Sequence, residues 1–130
     1  MKKTSPSKLA VKIEKGVWND LVKARAGHKC ELCPNTDCQM HAHHIEAKGS
    51  LVLRISPENG ICLCARCHMS IHGQNGITEQ QTRVERLKEV RKDDLEYLTQ
   101  LRHNPPHLNI FDVEERKTDL KKQLSLITSN

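Results

Sequence analysis

Two C-x-x-C pairs, Cys30/Cys33 and Cys64/Cys67, stand 30 residues apart, and no other feature restricts the fold as strongly. A C-x-x-C turn offers two thiolates from one tight knuckle. Two such knuckles close a tetrahedral zinc site with sulfurs about 2.3 Å from the metal. Joining them brings the segment that follows the first helix up against the last strand. Cys62 and Cys38 fall outside this set. Cys62 reads as a small buried hydrophobe, because the knuckles already supply four ligands.

The metal is wanted for stability before any function is argued. Of 130 residues only 36% are hydrophobic, and Trp18, Tyr97 and Phe111 are the three aromatics. Small domains with so little apolar bulk often rely on a metal or on disulfides. The chain opens Met1-Lys2-Lys3, with no apolar stretch of signal-peptide length after it and nothing resembling a membrane span. The expectation is therefore a cytoplasmic, non-membrane protein, in which thiols stay reduced and paired cysteines bind metal.

Net charge is +5, and it is unevenly placed. Residues 1–29 hold eight Lys/Arg against two acids, residues 30–77 three against four, and residues 78–130 ten against ten. The excess sits in the N-terminal arm, which suits a polyanionic partner such as nucleic acid.

Along the chain, residues 1–8 read as a disordered basic start. Val17, Trp18, Leu21, Val22 and Arg25 fall at helical spacing, predicting a helix over 14–26. Residues 38–64 read as a hairpin with a long loop: a strand from His41 to Ile45, an extended Leu51–Ile55, turn chemistry over Ser56–Gly60, and a strand over Ile61–Cys64. A helix from about Cys64–Arg66 would carry His68 and His72 on one face. Thr78-Glu79-Gln80-Gln81 is a capping-box signal for a helix to about Arg102, stopped by Asn104-Pro105-Pro106. A second box, Asp112-x-x-Glu115, opens a last helix to about Ile127. Its stripe of residues 113, 120, 124 and 127 is a packing face for the core or for a second copy in a homodimer. The expected organisation is 1–27, basic arm and short helix; 28–77, zinc-stapled core; 78–130, helical extension.

Four histidines and an asparagine remain. His68 and His72 at i, i+4 suit a divalent cation, and His43 or His44 on the facing strand is placed to supply a third ligand. Adjacent strand residues point to opposite faces, so only one of the two ligates. The other, close to the metal and unbound, suits general-base work.

The run His43-His44-Ile45, Asn59 fifteen residues after His44, and His68-x-x-x-His72 nine residues after Asn59 resemble the HNH (His-Me finger, ββα-metal) endonucleases. The flanking C-x-x-C pairs are similar to that family's zinc-stapled branch. Three histidines look more like the colicin-type nucleases than like relatives with Asp at the position of His43. The resemblance implies an α+β fold: a small ββα-metal core stapled by a four-cysteine zinc site, with flanking N- and C-terminal helices. It also implies a DNA endonuclease leaving 5′-phosphate and 3′-hydroxyl ends. His44 would be the general base, with Asn59 holding the loop and orienting it by hydrogen bonding. His43, His68 and His72 would hold a catalytic divalent cation, Mg²⁺ foremost, with Mn²⁺, Ni²⁺ or Zn²⁺ as alternatives. Lys48 and Arg54 are candidates for gripping the phosphates of the DNA backbone. The stretch Arg54–Gly60 and the run Cys62–His68 look similar to small phage-encoded HNH proteins linked to recombination or packaging. The alternative is a zinc-stapled DNA-binding module without catalysis, which would not need the histidine set complete.

Overall fold

The computed structural model describes residues 4–129. Its chain is mostly helical around one small sheet, an α+β arrangement. Ser5 caps helix α1 (Pro6–Ile13): its side chain accepts the Lys8 N–H at 3.1 Å, and Pro6 takes the first turn, where no amide donor is needed. The chain then widens into a π-helical turn, Glu14–Trp18, and continues as α2 (Asn19–Arg25). The helix predicted over 14–26 therefore begins at Pro6. Of the stretch expected to be disordered, Met1–Lys3 lies outside the described residues, and the part from Ser5 onward is capped and helical.

Strand β1 (Met40–His44) pairs antiparallel with β2 (Gly60–Cys64), with His43 opposite Ile61 and His44 opposite Gly60. All five residues of β2 are buried, so the sheet's second strand is the centre of the molecule. Between the strands, Leu51–Ile55 forms helix α3, not the extended segment expected from its β-branched and leucine residues. The Ser50 hydroxyl caps it by accepting the Leu53 N–H, and burial of Val52, Leu53 and Ile55 outweighs local preference. A single 3-10 turn, Pro57–Asn59, leads into β2.

Helix α4 (Ala65–Ile71) starts directly after its N-cap Cys64, within the expected Cys64–Arg66. The long helix predicted over 78–102 is two: α5 (Ile77–Val90) and α6 (Lys92–His103), broken at Arg91. The capping-box signal is not used, because Gly76 (φ 95°) caps α5 and the Gln80 amide instead donates to the Ile71 carbonyl at 3.1 Å, closing the end of α4. Helix α7 (Ile110–Thr128) opens on a capping box three residues earlier than expected, between Asn109 and Asp112. Val113 and Leu120 of its stripe are buried and Leu124 packs beside them, while Ile127 stays 40% exposed.

One hydrophobic core joins all three predicted segments, with Ile13, Trp18 and Leu21 from the N-terminal helices, Ile61 and Leu63 from β2, and Leu87, Val113 and Leu120 from the C-terminal helices. The flanking helices are therefore walls of the same core. Among the described residues, no helix is long and apolar enough to cross a membrane.

Candidate metal and histidine centre

The four knuckle cysteines come together as expected. The sulfurs of Cys30, Cys33, Cys64 and Cys67 all lie within 4.8 Å of one another, with Cys33 Sγ 3.6 Å from Cys64 Sγ. A tetrahedron with 2.3 Å metal–sulfur bonds has edges of about 3.8 Å, so this cluster fits a zinc-like ion. Cys64 is also the N-cap of α4, and its sulfur accepts the Cys67 N–H at 3.4 Å. Burial alone would raise its pKa, but that bond and the neighbouring thiols bring it down to about 7. Burial pushes Cys67 up instead, and the Arg83 guanidinium, 3.4 Å from its sulfur, works against that rise. Cys62 is fully buried and outside the cluster, and Cys38, half-buried against the core, is outside it too.

One residue beyond the staple, the histidines divide across the sheet as strand alternation requires. His43 faces α4, where one donor nitrogen each from His43, His68 and His72 lies within 4.8 Å of the others. The His68 and His72 Nε2 atoms are 3.1 Å apart, so their lone pairs can converge on one cation. Cation ligands must be unprotonated. Burial, reinforced by repulsion from His68 and His72, pushes His43 down to about 4. Burial and His72 likewise lower His68. His41 stacks on His68 with ring centroids 5.1 Å apart, closing the nest on another side. The three histidines are therefore placed so that they could hold a cation.

His44 lies on the other face. Its ring stacks on Trp18, with centroids 4.1 Å apart and planes 8° from parallel. Its Nε2 lies 2.9 Å from the Arg54 carbonyl oxygen. A carbonyl only accepts, so Nε2 carries the proton and Nδ1 keeps its lone pair. Burial lowers the His44 pKa, although the Arg54 carbonyl and Glu14 pull it back up. The ring is thus held neutral and fixed, with Nδ1 able to take a proton.

Trp18 can lie under His44 because its strand partner is glycine. A Cβ at Gly60 would meet Val22 and sit 2.9 Å from the Trp18 ring. The π-helical turn sets both Glu14 and Trp18 against His44, a local widening that is frequent at functional sites. Neither contact was predicted from the sequence. The i, i+4 spacing of Glu14 and Trp18 was the available signal, but the pattern read equally as an ordinary packing face.

Asn59 does not bond to the His44 ring. It is completely buried, and its Oδ1 accepts the Glu46 N–H at 2.7 Å, while Nδ2 donates to the carbonyls of Glu46 (3.1 Å) and Leu53 (2.8 Å). It holds the loop, and the loop presents the Arg54 carbonyl to His44. Any orientation of His44 by Asn59 therefore runs through the loop's hydrogen bonds and not through a bond to the ring. Arg91, at the break between α5 and α6, secures the same loop from behind. Its guanidinium donates to the carbonyls of Gly60 (2.7 Å) and Glu58 (2.9 Å), and to Glu31 and Asp94.

Lys48 and Arg54 are beside His44, as expected of phosphate-gripping cations, but both are paired. Lys48 Nζ lies 2.6 Å from Glu14 Oε2, and Arg54 Nη1 2.7 Å from Glu14 Oε1.

No protein-family model, curated protein or solved structure matches this chain.

Proposed function

We propose that this chain is a metal-dependent DNA endonuclease of the HNH type, with β1, β2 and α4 as its ββα-metal element. The observation that carries the reading is the pair of adjacent histidines with separate surroundings: His43 in a three-histidine nest, His44 alone across the strand with Nδ1 unprotonated. A module that only bound DNA would need neither arrangement.

His43, His68 and His72 would hold a divalent cation, which would supply Lewis acidity against the charge that builds on the phosphoryl and departing oxygens. His44 takes the proton of the attacking water at Nδ1. General-base catalysis of this kind contributes about 10²- to 10⁴-fold. Trp18 and the Arg54 carbonyl keep the ring from rotating, so the base is oriented before substrate arrives. The four-cysteine zinc site joins the segment before β1 to the start of α4, and Cys67 and His68 are consecutive, so the staple sets where the nest sits. Lys48, Arg54 and the basic residues of α1 and α2 attract the backbone, and affinity falls with salt.

The test is cleavage of supercoiled plasmid by zinc-loaded protein with Mg²⁺, Mn²⁺ or Ni²⁺. The reading expects nicked or linear product with ligatable 5′-phosphate ends. Gel shift without cleavage in any metal would favour the non-catalytic DNA-binding module.

A further inference from the structure

We propose that the Glu14 carboxylate occupies a phosphate-binding position formed by Lys48, Arg54 and the edge of His44, and that a backbone phosphate of bound DNA displaces it. The inference rests on the DNA-acting reading above and adds how that site exists without its ligand.

The carboxylate places its two oxygens where two non-bridging phosphate oxygens would go. Oε2 is 2.6 Å from Lys48 Nζ and Oε1 is 2.7 Å from Arg54 Nη1, while Oε2 stands 3.9 Å from His44 Nδ1. Arginine and lysine converging on a pair of anionic oxygens is phosphate-recognition chemistry. Here the anion is supplied by the chain itself.

Three features favour exchange over a permanent tie. One acid faces two cations, so the pairings leave a net positive charge that still attracts an anion. Among the described residues the carboxylate hydrogen-bonds only to these two cations, so nothing else holds it in place. The Lys48 side chain is 47% exposed and that of Arg54 26%, against 14% for Glu14, so both cations can be reached from outside. Burial alone would raise the pKa of Glu14, but the bonds from Lys48 and Arg54 outweigh it and keep the group ionised. At 3.9 Å the His44 Nδ1 is beyond hydrogen-bond distance of the carboxylate, so the imidazole is not what retains it.

The consequence is a discrimination step. Lys48 and Arg54 stay paired with the Glu14 carboxylate until a polyanion offers more than that one group can. Isolated anions compete poorly, whereas a duplex gains from every other phosphate contact on the basic face.

The experiment measures binding of a fluorescent duplex to zinc-loaded wild type, Glu14→Gln and Glu14→Asp by anisotropy, over a salt series without added divalent cation. Glu14→Gln is expected to tighten Kd about tenfold at fixed salt, the effect of removing one unit charge close to a phosphate near the surface. The slope of log Kd against log salt should not change, because Lys48 and Arg54 already contact phosphates in the wild-type complex. Glu14→Asp, too short to reach both cations, should tighten binding by less.

Unchanged or weaker binding by Glu14→Gln overturns the proposal. So does tighter binding with a slope steeper by about two, since the substitution would then have freed cations that wild type never commits to DNA. If Glu14→Gln does not fold, Glu14→Asp carries the same test; if neither folds, Glu14 is a structural tie and the proposal fails. Wild type that binds no duplex sinks the DNA-acting reading itself. Wild type that binds without cutting sinks only catalysis, and the exchange still stands or falls on Kd and slope.

Discussion

Replacing Asn59 with aspartate changes almost no volume and reverses one half of the side chain's hydrogen bonding. The retained oxygen can still accept from the Glu46 N–H. The new oxygen, in place of the amide donor, faces the Glu46 carbonyl at 3.1 Å and the Leu53 carbonyl at 2.8 Å. Two hydrogen bonds are lost at about 1 kcal/mol each, and two carbonyls are left without that partner at about 1 kcal/mol or more apiece. An ionised carboxylate with no exposure adds several kcal/mol unless it takes up a proton. The deficit at pH 8 is therefore about 4 kcal/mol or more, a large part of a typical domain's 5–15 kcal/mol. The sign of its pH dependence follows. The introduced carboxyl has a folded-state pKa above the unfolded value of about 3.9, so the folded variant binds more protons in that window. Stability relative to wild type is then greatest at low pH and is lost as pH rises through the folded pKa. Asn59→Ala, by contrast, loses all three hydrogen bonds and strands three backbone groups, about 6 kcal/mol on the same reckoning, with no pH dependence of its own. Guanidinium unfolding of the zinc-loaded proteins at pH 5 and pH 8 measures this. A deficit of Asn59→Asp under 1 kcal/mol at pH 8, or one that does not vary with pH, would refute the argument.

Gly60→Ala should destabilise by about 1–3 kcal/mol through overpacking against Val22 and Trp18, and should slow cleavage by pushing Trp18 away from His44. Wild-type stability and rate would show that the contact can relax. Stripping the four-cysteine site with a strong chelator should lower Tm and expose reactive thiols, because the cluster joins the segment before β1 to α4; an unchanged Tm would contradict the staple. With cation saturating, the acid limb of the cleavage rate should be centred below pH 6.5, since burial lowers His44 beneath its ordinary 6.5. An acid limb centred above that value would contradict a buried neutral base.

The parts of this molecule legible in its sequence are those set by short spacing. Each C-x-x-C pair, the His68/His72 spacing and the alternation at His43-His44 state a local geometry that tertiary contacts then preserve. What the sequence did not disclose depends on residues distant along the chain. Leu51–Ile55 looks extended, yet its burial makes it a helix. Arg91 sits in an unbroken helical pattern, and only the carbonyls of Glu58 and Gly60, more than 30 residues away, give a reason to interrupt it. Glu14 reads as one more exposed acid until Lys48 and Arg54 are brought to it. Gly60 looks like a turn residue, but its φ of −115° suits any side chain; what it provides is room for Trp18.

The central claim is the division of labour between neighbours: His43, His68 and His72 hold a cation, and His44 moves a proton. Single-turnover cleavage of a duplex, titrated with Mn²⁺, separates the two roles by comparing wild type, His44→Ala and His72→Ala. The account predicts that His44→Ala cuts about 10²- to 10⁴-fold more slowly at an unchanged half-saturating Mn²⁺ concentration, and that His72→Ala needs far more Mn²⁺. Cleavage by His44→Ala at the wild-type rate would contradict it.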